Sequence, residues 1–236
     1  MILRAIRAVG QRIDSYFCEI IAKAVFQRAP FDYISLAYLK AGMEAADFFT
    51  RNMPLAEDLV TKAKLLEFAA SQVAVKGLWL EFGVFQGRDI RVLSKYCNDK
   101  VYGFDSFEGL PEDWTFFQRK GRFSLSGDLP QVPENVKLVK GWFEETLPSF
   151  LDEHEAPIAF VHIDSDLYSS AKYVLFTVVD RLQPGAIIVF DDFLNYPNWQ
   201  NGEAKAFFEL IEHKKLSFSY IGFSSKQQSI AVRITD

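Results

Sequence analysis

The chain has 236 residues, 49% of them hydrophobic, with 23 phenylalanines and a formal net charge of −5. That length and apolar content bury one large core with no long polar linker to divide it, and the acidic balance argues against a nucleic-acid surface. Two cysteines, Cys18 and Cys97, give no disulfide framework and fit a reducing cytoplasm.

From the N-terminus, Ile2, Ile6, Val9, Ile13, Phe17, Ile20, Ile21 and Val25 recur at helical spacing, with Arg4, Arg7, Arg12 and Lys23 between them. Three readings fit this basic amphipathic helix: packing on the domain or on a second copy of it in a homodimer, a substrate lid, and an interfacial membrane helix. No stretch approaches the roughly 18 to 20 apolar residues that span a bilayer, and arginine breaks the first residues too often for a secretory segment. Further helices are expected at Tyr33 to Arg51 and Leu55 to Ser71, so residues 1–72 are read as a helical extension and 73–236 as the main domain.

Strands are expected at Gly77 to Phe82, Lys100 to Phe104, Val136 to Lys140, Ile158 to Ile163 and Ala186 to Phe190, mostly alternating with helical segments. This predicts a doubly wound, mostly parallel α/β sheet of seven strands. Leu216 to Gly222 and Ser229 to Ile234 are joined by too short a turn for a parallel crossover, so the last strand is expected to be antiparallel.

Three of these strands end in acids. LWLEFGVFQGRDI, from Leu78 to Ile90, reads as strand, glycine loop and helix, with Gly83 and Gly87 clearing side chains where a ligand approaches. Asp105 ends the next strand twenty-two residues past Gly83, where a carboxylate accepts hydrogen bonds from ribose hydroxyls. The pattern ExGxxxG is not the dinucleotide GxGxxG; Glu81, Val84 and Phe85 disfavour a pyrophosphate, and an acidic loop suits the cationic S-adenosylmethionine. Taken alone, the two glycines equally serve as strand and helix punctuation in another α/β protein.

The third acid-ended strand leads into Asp164, Ser165 and Asp166, and the strand after it into Asp191 and Asp192. If these strands are neighbours, their loops emerge about 4.8 Å apart on the carboxyl edge and their carboxylates share one cation. Hard oxygen donors suit Mg²⁺ better than zinc. Helix N-capping accounts for one acid in each loop but leaves the other without a role. His162 shares the parity of Asp164; it reads either as a catalytic group or as a hydrogen-bonded strand histidine.

LEFGVFQGRDI, VYGFDSFEGLPE, HIDSDLYSS and LQPGAIIVFDDF together resemble the macrocin O-methyltransferase family over about Gly77 to Ile234, with FDSFEGLP the most specific part. The resemblance implies a class I methyltransferase fold with a reversed final strand, and Asp164, Asp191 and Asp192 as Mg²⁺ ligands. It also implies Glu81, Gly83, Phe85 and Gly87 along the methionine portion of S-adenosylmethionine, Asp105 and Ser106 at the ribose, and Gly141 and Trp142 near adenine. The implied reaction is Mg²⁺-assisted methylation of a hydroxyl on a sugar-containing small molecule; Leu167 stands where catechol-type relatives carry a lysine, and the candidates for the base are Asp164 or Asp166, with His162 behind them. A non-sugar hydroxyl, such as a catechol or polyketide phenol, and a non-catalytic cofactor-binding domain are the alternatives.

Between the motifs, Ser106 to Leu129 carries Trp114, Phe116, Phe117 and Phe123 with Arg119, Lys120 and Arg122, and reads as a closing loop over an acceptor or as a surface excursion. Tyr196 and Trp199 are expected to line the acceptor pocket.

Overall fold

A computed structural model describes residues 32–115 and 117–236; the N-terminal periodicity, Cys18 and Phe116 lie outside them. The described elements are α1 (Tyr33–Asn52), β1 (Glu57–Asp58), α2 (Lys62–Ser71), β2 (Leu78–Phe82), α3 (Arg88–Leu93), β3 (Val101–Asp105), β4 (Val136–Lys140), α4 (Phe143–Glu153), β5 (Ile158–Ile163), α5 (Tyr168–Val178), β6 (Leu182–Phe190), α6 (Glu203–Lys214), β7 (Phe218–Phe223) and β8 (Ile230–Ile234). The expected helix from Leu55 to Ser71 is shorter, because Glu57 and Asp58 pair with Gly222 and Phe223 and Thr61 caps the helix that follows.

The strands form one sheet in the order β1-β7-β8-β6-β5-β2-β3-β4. It has eight strands rather than seven, the extra one being the two-residue edge strand β1. β8 is antiparallel to both β6 and β7, and the other pairings are parallel. From β2 the chain winds outward through β3 and β4; β5 then returns to the other side of β2 and β6 continues the opposite way. The loops after β2 and β5 therefore diverge and leave a crevice at their carboxyl ends, the place where open α/β sheets bind ligands.

Strand alternation builds two cores. Leu80, Phe82, Phe104, Val161, Ile163 and Phe190 face one side with Phe150 of α4, Val174 of α5 and Phe207 of α6. Trp79, Phe160, Ile187 and Val189 face the other, with Leu65 and Leu66 of α2 and Ile90 of α3. All six residues of β5 are buried, which is why the strand reads as an unbroken apolar run with His162 as its one polar member. On the first face, Phe82 stacks on Phe104 with ring centroids 4.9 Å apart, directly below the crevice.

Gly103, in the middle of β3, has a packing role. A Cβ there would lie 2.4 Å from Ile90 Cδ1 and 2.7 Å from Val84 Cγ2, so the missing side chain lets α3 and the glycine loop settle onto the sheet. Gly103→Ala is expected to lower unfolding stability by about 1–3 kcal/mol through overpacking, read as a lowered midpoint in chemical denaturation.

Candidate functional site

The loop after β2 is shaped by Asp105. Its Oδ2 accepts hydrogen bonds from the backbone N–H groups of Val84 and Phe85 at 2.9 and 2.8 Å, and its Oδ1 accepts from Phe107 N–H at 2.7 Å. One carboxylate thus clasps the glycine loop to its own, and Phe85 is held at φ +45°. The sequence reading gave Asp105 to ribose alone; the structure adds this prior commitment of both oxygens. Gly83 is required by contact as well as by conformation: its φ is +94°, and a Cβ would sit 1.8 Å from the Asp164 carbonyl oxygen.

Glu81 and His162 lie opposite each other in the β2–β5 register and form a buried pair, with His162 Nδ1 2.9 Å from Glu81 Oε1. Neither lines the cavity at the crevice, so the structure sets both beneath the site rather than against a substrate or cofactor. Burial pushes the Glu81 carboxyl up to about 7 against the opposing pull of His162. Burial would lower the His162 pKa, but its bond to Glu81 together with the Glu81 and Asp164 charges outweighs this and raises it.

Above this pair the acids converge. Asp164, Asp166 and Asp192 each place a carboxylate oxygen within 4.8 Å of the others. Asp191, expected as their partner, meets the ammonium that also bonds Asp164: its Oδ2 lies 2.7 Å from Lys62 Nζ, and its Oδ1 accepts from Ser229 Oγ at 3.0 Å. The oxygen set the structure brings together is Asp164–Asp166–Asp192, while the expected set is Asp164, Asp191 and Asp192.

Two residues missed in the sequence complete the cluster. Glu203, fully buried at the start of α6, accepts hydrogen bonds from the backbone N–H groups of Ser165 and Asp192 at 3.3 and 3.2 Å, tying the two acid loops together. Its sequence signal is only that of a first-turn acid. Lys62, the first residue of α2, also bonds Asp164 Oδ2 and Asp89 Oδ2, each at 2.8 Å.

Burial, and then the Asp191 charge, push the Asp164 carboxyl up to about 6. Burial, followed by neighbouring acids, raises Asp166, Asp192 and Glu203 well above the usual carboxylate range. The cluster carries more negative charge than its surroundings compensate. Three converging hard oxygen donors with unbalanced charge fit a divalent cation such as Mg²⁺.

The crevice is a cavity of about 1350 Å³, larger than the roughly 300–1,000 Å³ typical of one small ligand. Its lining includes Gly83, Phe85, Asp105, Ser106, Trp142, Asp164, Asp166, Asp191 and Asp192. Gly87 and Gly141 do not line it; Gly87 instead opens α3 at φ +73°. Tyr33 and Tyr38 of α1, Trp114, Phe117, Tyr196 and Asn198 line it as well. Trp199 is not among them: it is buried against Phe48, ring centroids 5.5 Å apart.

The excursion after β3 is ordered by its own contacts. Leu110 N–H donates to Arg122 O and Gly121 N–H to Leu110 O, both at 2.9 Å, and Asp113 pairs with Arg119 at 2.8 Å. Trp114 meets Tyr196 edge-on at 5.8 Å, and Ser169 Oγ donates to Glu112 Oε1 at 2.6 Å. The loop is thus fastened over the cavity from two sides. Among the described residues no helix is long and apolar enough to cross a membrane.

Comparison with known proteins agrees with this geometry. Residues 80–193, just under half of the chain, match a family model described as a methyltransferase domain. The chain is 32% identical over 146 residues to the 8-demethyl-8-(2,3-dimethoxy-alpha-L-rhamnosyl)-tetracenomycin-C 4'-O-methyltransferase of Streptomyces olivaceus, covering 50% of this chain and 54% of that protein. It is 26% identical over 153 residues to the demethyldecarbamoylnovobiocin O-methyltransferase of Streptomyces niveus, covering 55% and 54%. The chain spans about half the length of these relatives. Among solved structures, the calicheamicin methyltransferase CalS11 superposes with a TM-score of 0.60 at 23% identity, over 83% of this chain and 91% of that one. The O-methyltransferase NovP superposes with 0.56 at 18%, over 86% and 98%. The fold is the one these solved methyltransferases share, and the segment that matches the family model runs from β2 to β6 of the sheet.

The raised carboxyls fix the sign of a pH effect. A group whose folded pKa exceeds its unfolded value stabilises the protein when protonated, and that stability is lost as pH rises through the folded pKa. The acids that are lowered, Asp89 beside the Lys62 ammonium and surface acids such as Asp113 and Glu209, act only below about pH 4. The metal-free chain is expected to melt at a lower temperature at pH 8 than at pH 5, and added Mg²⁺ to recover the loss at pH 8 but not at pH 5. A melting temperature that rises from pH 5 to 8 without metal would contradict the charge assignment.

Proposed function

We propose that this chain is an S-adenosylmethionine-dependent O-methyltransferase that methylates a hydroxyl of a sugar-containing small molecule, with Mg²⁺ bound at Asp164, Asp166 and Asp192. The observation that carries the reading is one cavity lined by the Asp105-clasped loop, by the acid cluster and by an aromatic wall. Its size accommodates a cofactor and an acceptor side by side. One relative's name supports the sugar, since it gives a rhamnosyl-bearing tetracenomycin as what that enzyme methylates; the other names demethyldecarbamoylnovobiocin.

On this reading Gly83, Phe85, Asp105 and Ser106 bind the amino-acid and ribose portions of the cofactor, and Trp142 flanks its base. Asp105 keeps the loop in shape by holding its amides, and the remaining capacity of Oδ1 faces a ribose hydroxyl. Tyr38, Trp114 and Tyr196 offer flat apolar faces to an acceptor sugar, and Asn198 offers polar contacts.

Methyl transfer is an in-line displacement, so holding the acceptor oxygen opposite the sulfur can supply about 7–11 kcal/mol of the barrier. Bound Mg²⁺ supplies Lewis acidity that eases loss of the acceptor proton. Carboxylate oxygens of Asp164 and Asp166 that do not hold the ion would be the groups to take that proton. His162 holds Glu81 below them and does not meet the acceptor.

Two outcomes test the reading. Asp105→Ala removes three hydrogen bonds to a charged acceptor, each worth about 1.5–3 kcal/mol, and is expected to weaken S-adenosylhomocysteine binding at least about tenfold by calorimetry. Labelled S-adenosylmethionine with a rhamnosylated aromatic polyketide is expected to give a methyl ether on the sugar, abolished by chelator and restored by Mg²⁺. Transfer indifferent to chelation would remove the metal from the proposal; transfer to a sugar-free catechol in its place would remove the sugar.

A further inference from the structure

Lys62 lies outside the segment that matches the methyltransferase domain, yet it reaches the centre of the site. Its backbone is anchored for this: the Lys62 N–H donates to Gln227 Oε1. The turn before it is pinned by Val60 N–H to Asp58 Oδ1 at 2.8 Å and by Lys226 N–H to Val60 O at 3.3 Å. The side chain then delivers an ammonium to Asp89 of α3, Asp164 after β5 and Asp191 after β6, at 2.8, 2.8 and 2.7 Å. An ammonium has three donors, and three carboxylates from three separate elements receive it.

A second feature points to the same spot. His162 is fully buried and its Nε2 has no hydrogen-bond partner, while a ring nitrogen lies within 4.8 Å of carboxylate oxygens of Asp89 and Asp164. Two or three carboxylates with one imidazole form the donor set of a transition-metal site. Here an amine stands at its centre.

We infer that the Lys62 ammonium occupies a divalent-cation position, the chain's own substitute for a metal ion held by Asp89, Asp164, Asp191 and His162. Asp164 is then shared between two positive charges: the built-in ammonium on one side and an exchangeable ion at Asp166 and Asp192 on the other. Lys62 is a positioning residue, which holds Asp164 and Asp191 and confines the exchangeable ion to one place. The inference rests on the proposed acid site, but its test is a difference between variants and is decided whether or not the unaltered chain binds an ion.

The experiment counts Mn²⁺ bound per chain at equilibrium, from the electron paramagnetic resonance signal of the free ion, for the unaltered protein, Lys62→Met and Lys62→Arg. Lys62→Met is expected to bind one more Mn²⁺ than the unaltered chain, and Lys62→Arg, which keeps the charge, the same number. An equal count for Lys62→Met and the unaltered protein overturns the inference, as does a Lys62→Arg count raised to that of Lys62→Met. A count of zero for the unaltered chain would instead count against the Mg²⁺ part of the proposed function, leaving the difference at Lys62 to be read. If Lys62→Met is unfolded as purified, its melting is followed with and without Mn²⁺. Folding restored by millimolar Mn²⁺, and not by potassium chloride of equal ionic strength, supports the inference; no restoration overturns it.

Discussion

Unbalanced negative charge at the carboxyl edge of the sheet is the constraint on which the rest of this structure depends. β2, β5 and β6 lie side by side, and the loops after β5 and β6 bring Asp164, Asp166, Asp191 and Asp192 together, with Asp89 and Glu203 added from helix starts. At about 5 Å and an effective dielectric of about 20, two such charges repel by about 3 kcal/mol, a large fraction of a domain's net stability. The protein answers in three ways. Lys62 neutralises part of the cluster, the backbone N–H groups of Ser165 and Asp192 hold Glu203, and the raised pKa values keep protons on the remainder. Such an arrangement is costly as packing and makes sense as a receptor for positive charge.

The neighbouring loop solves a different problem with one acid. Asp105 spends its carboxylate on the amides of Val84, Phe85 and Phe107, which fixes the shape of the surface presented to a cofactor before any ligand arrives. Gly83 closes the join between the two halves of the site, since its Cα packs against the Asp164 carbonyl with no space for a side chain. The glycine loop after β2 and the first acid of the cluster are therefore mechanically continuous, and distortion of one displaces the other.

Much of this was legible because the relevant signals are local. Apolar runs ending in glycine or aspartate gave β2, β3, β5 and β6 to within a residue or so at the site-bearing ends, and the short turn before β8 gave its reversal. Glu57–Asp58 was not legible as a strand, because two exposed acids pair only through backbone supplied by β7, far along the chain. The acid cluster was legible as a region and not as a set of contacts: Asp191 and Asp192 are adjacent, and only the position of Lys62, more than a hundred residues away, decides which of them meets an ammonium. Glu203 and Lys62 carry no local mark, since an acid or a lysine in a first helical turn is ordinary. Glu81 reads as a site residue from the acidic glycine loop and His162 from its parity with Asp164; in the fold they pair with each other beneath the cavity, leaving Glu81 Oε2 and His162 Nε2 without hydrogen-bond partners. Trp199 follows the acids in sequence but turns into the core against Phe48.

The relation between the ammonium and an exchangeable cation is the centre of this account, since it assigns each acid of the cluster a partner and sets where an acceptor oxygen is drawn. The most direct measurement is anomalous diffraction at the manganese edge from crystals of the full chain grown with S-adenosylhomocysteine and Mn²⁺. The account predicts one anomalous peak bounded by Asp164, Asp166 and Asp192, with Lys62 still on Asp89, Asp164 and Asp191. A peak at the ammonium position with Lys62 displaced, or no peak at the acid cluster, would contradict it.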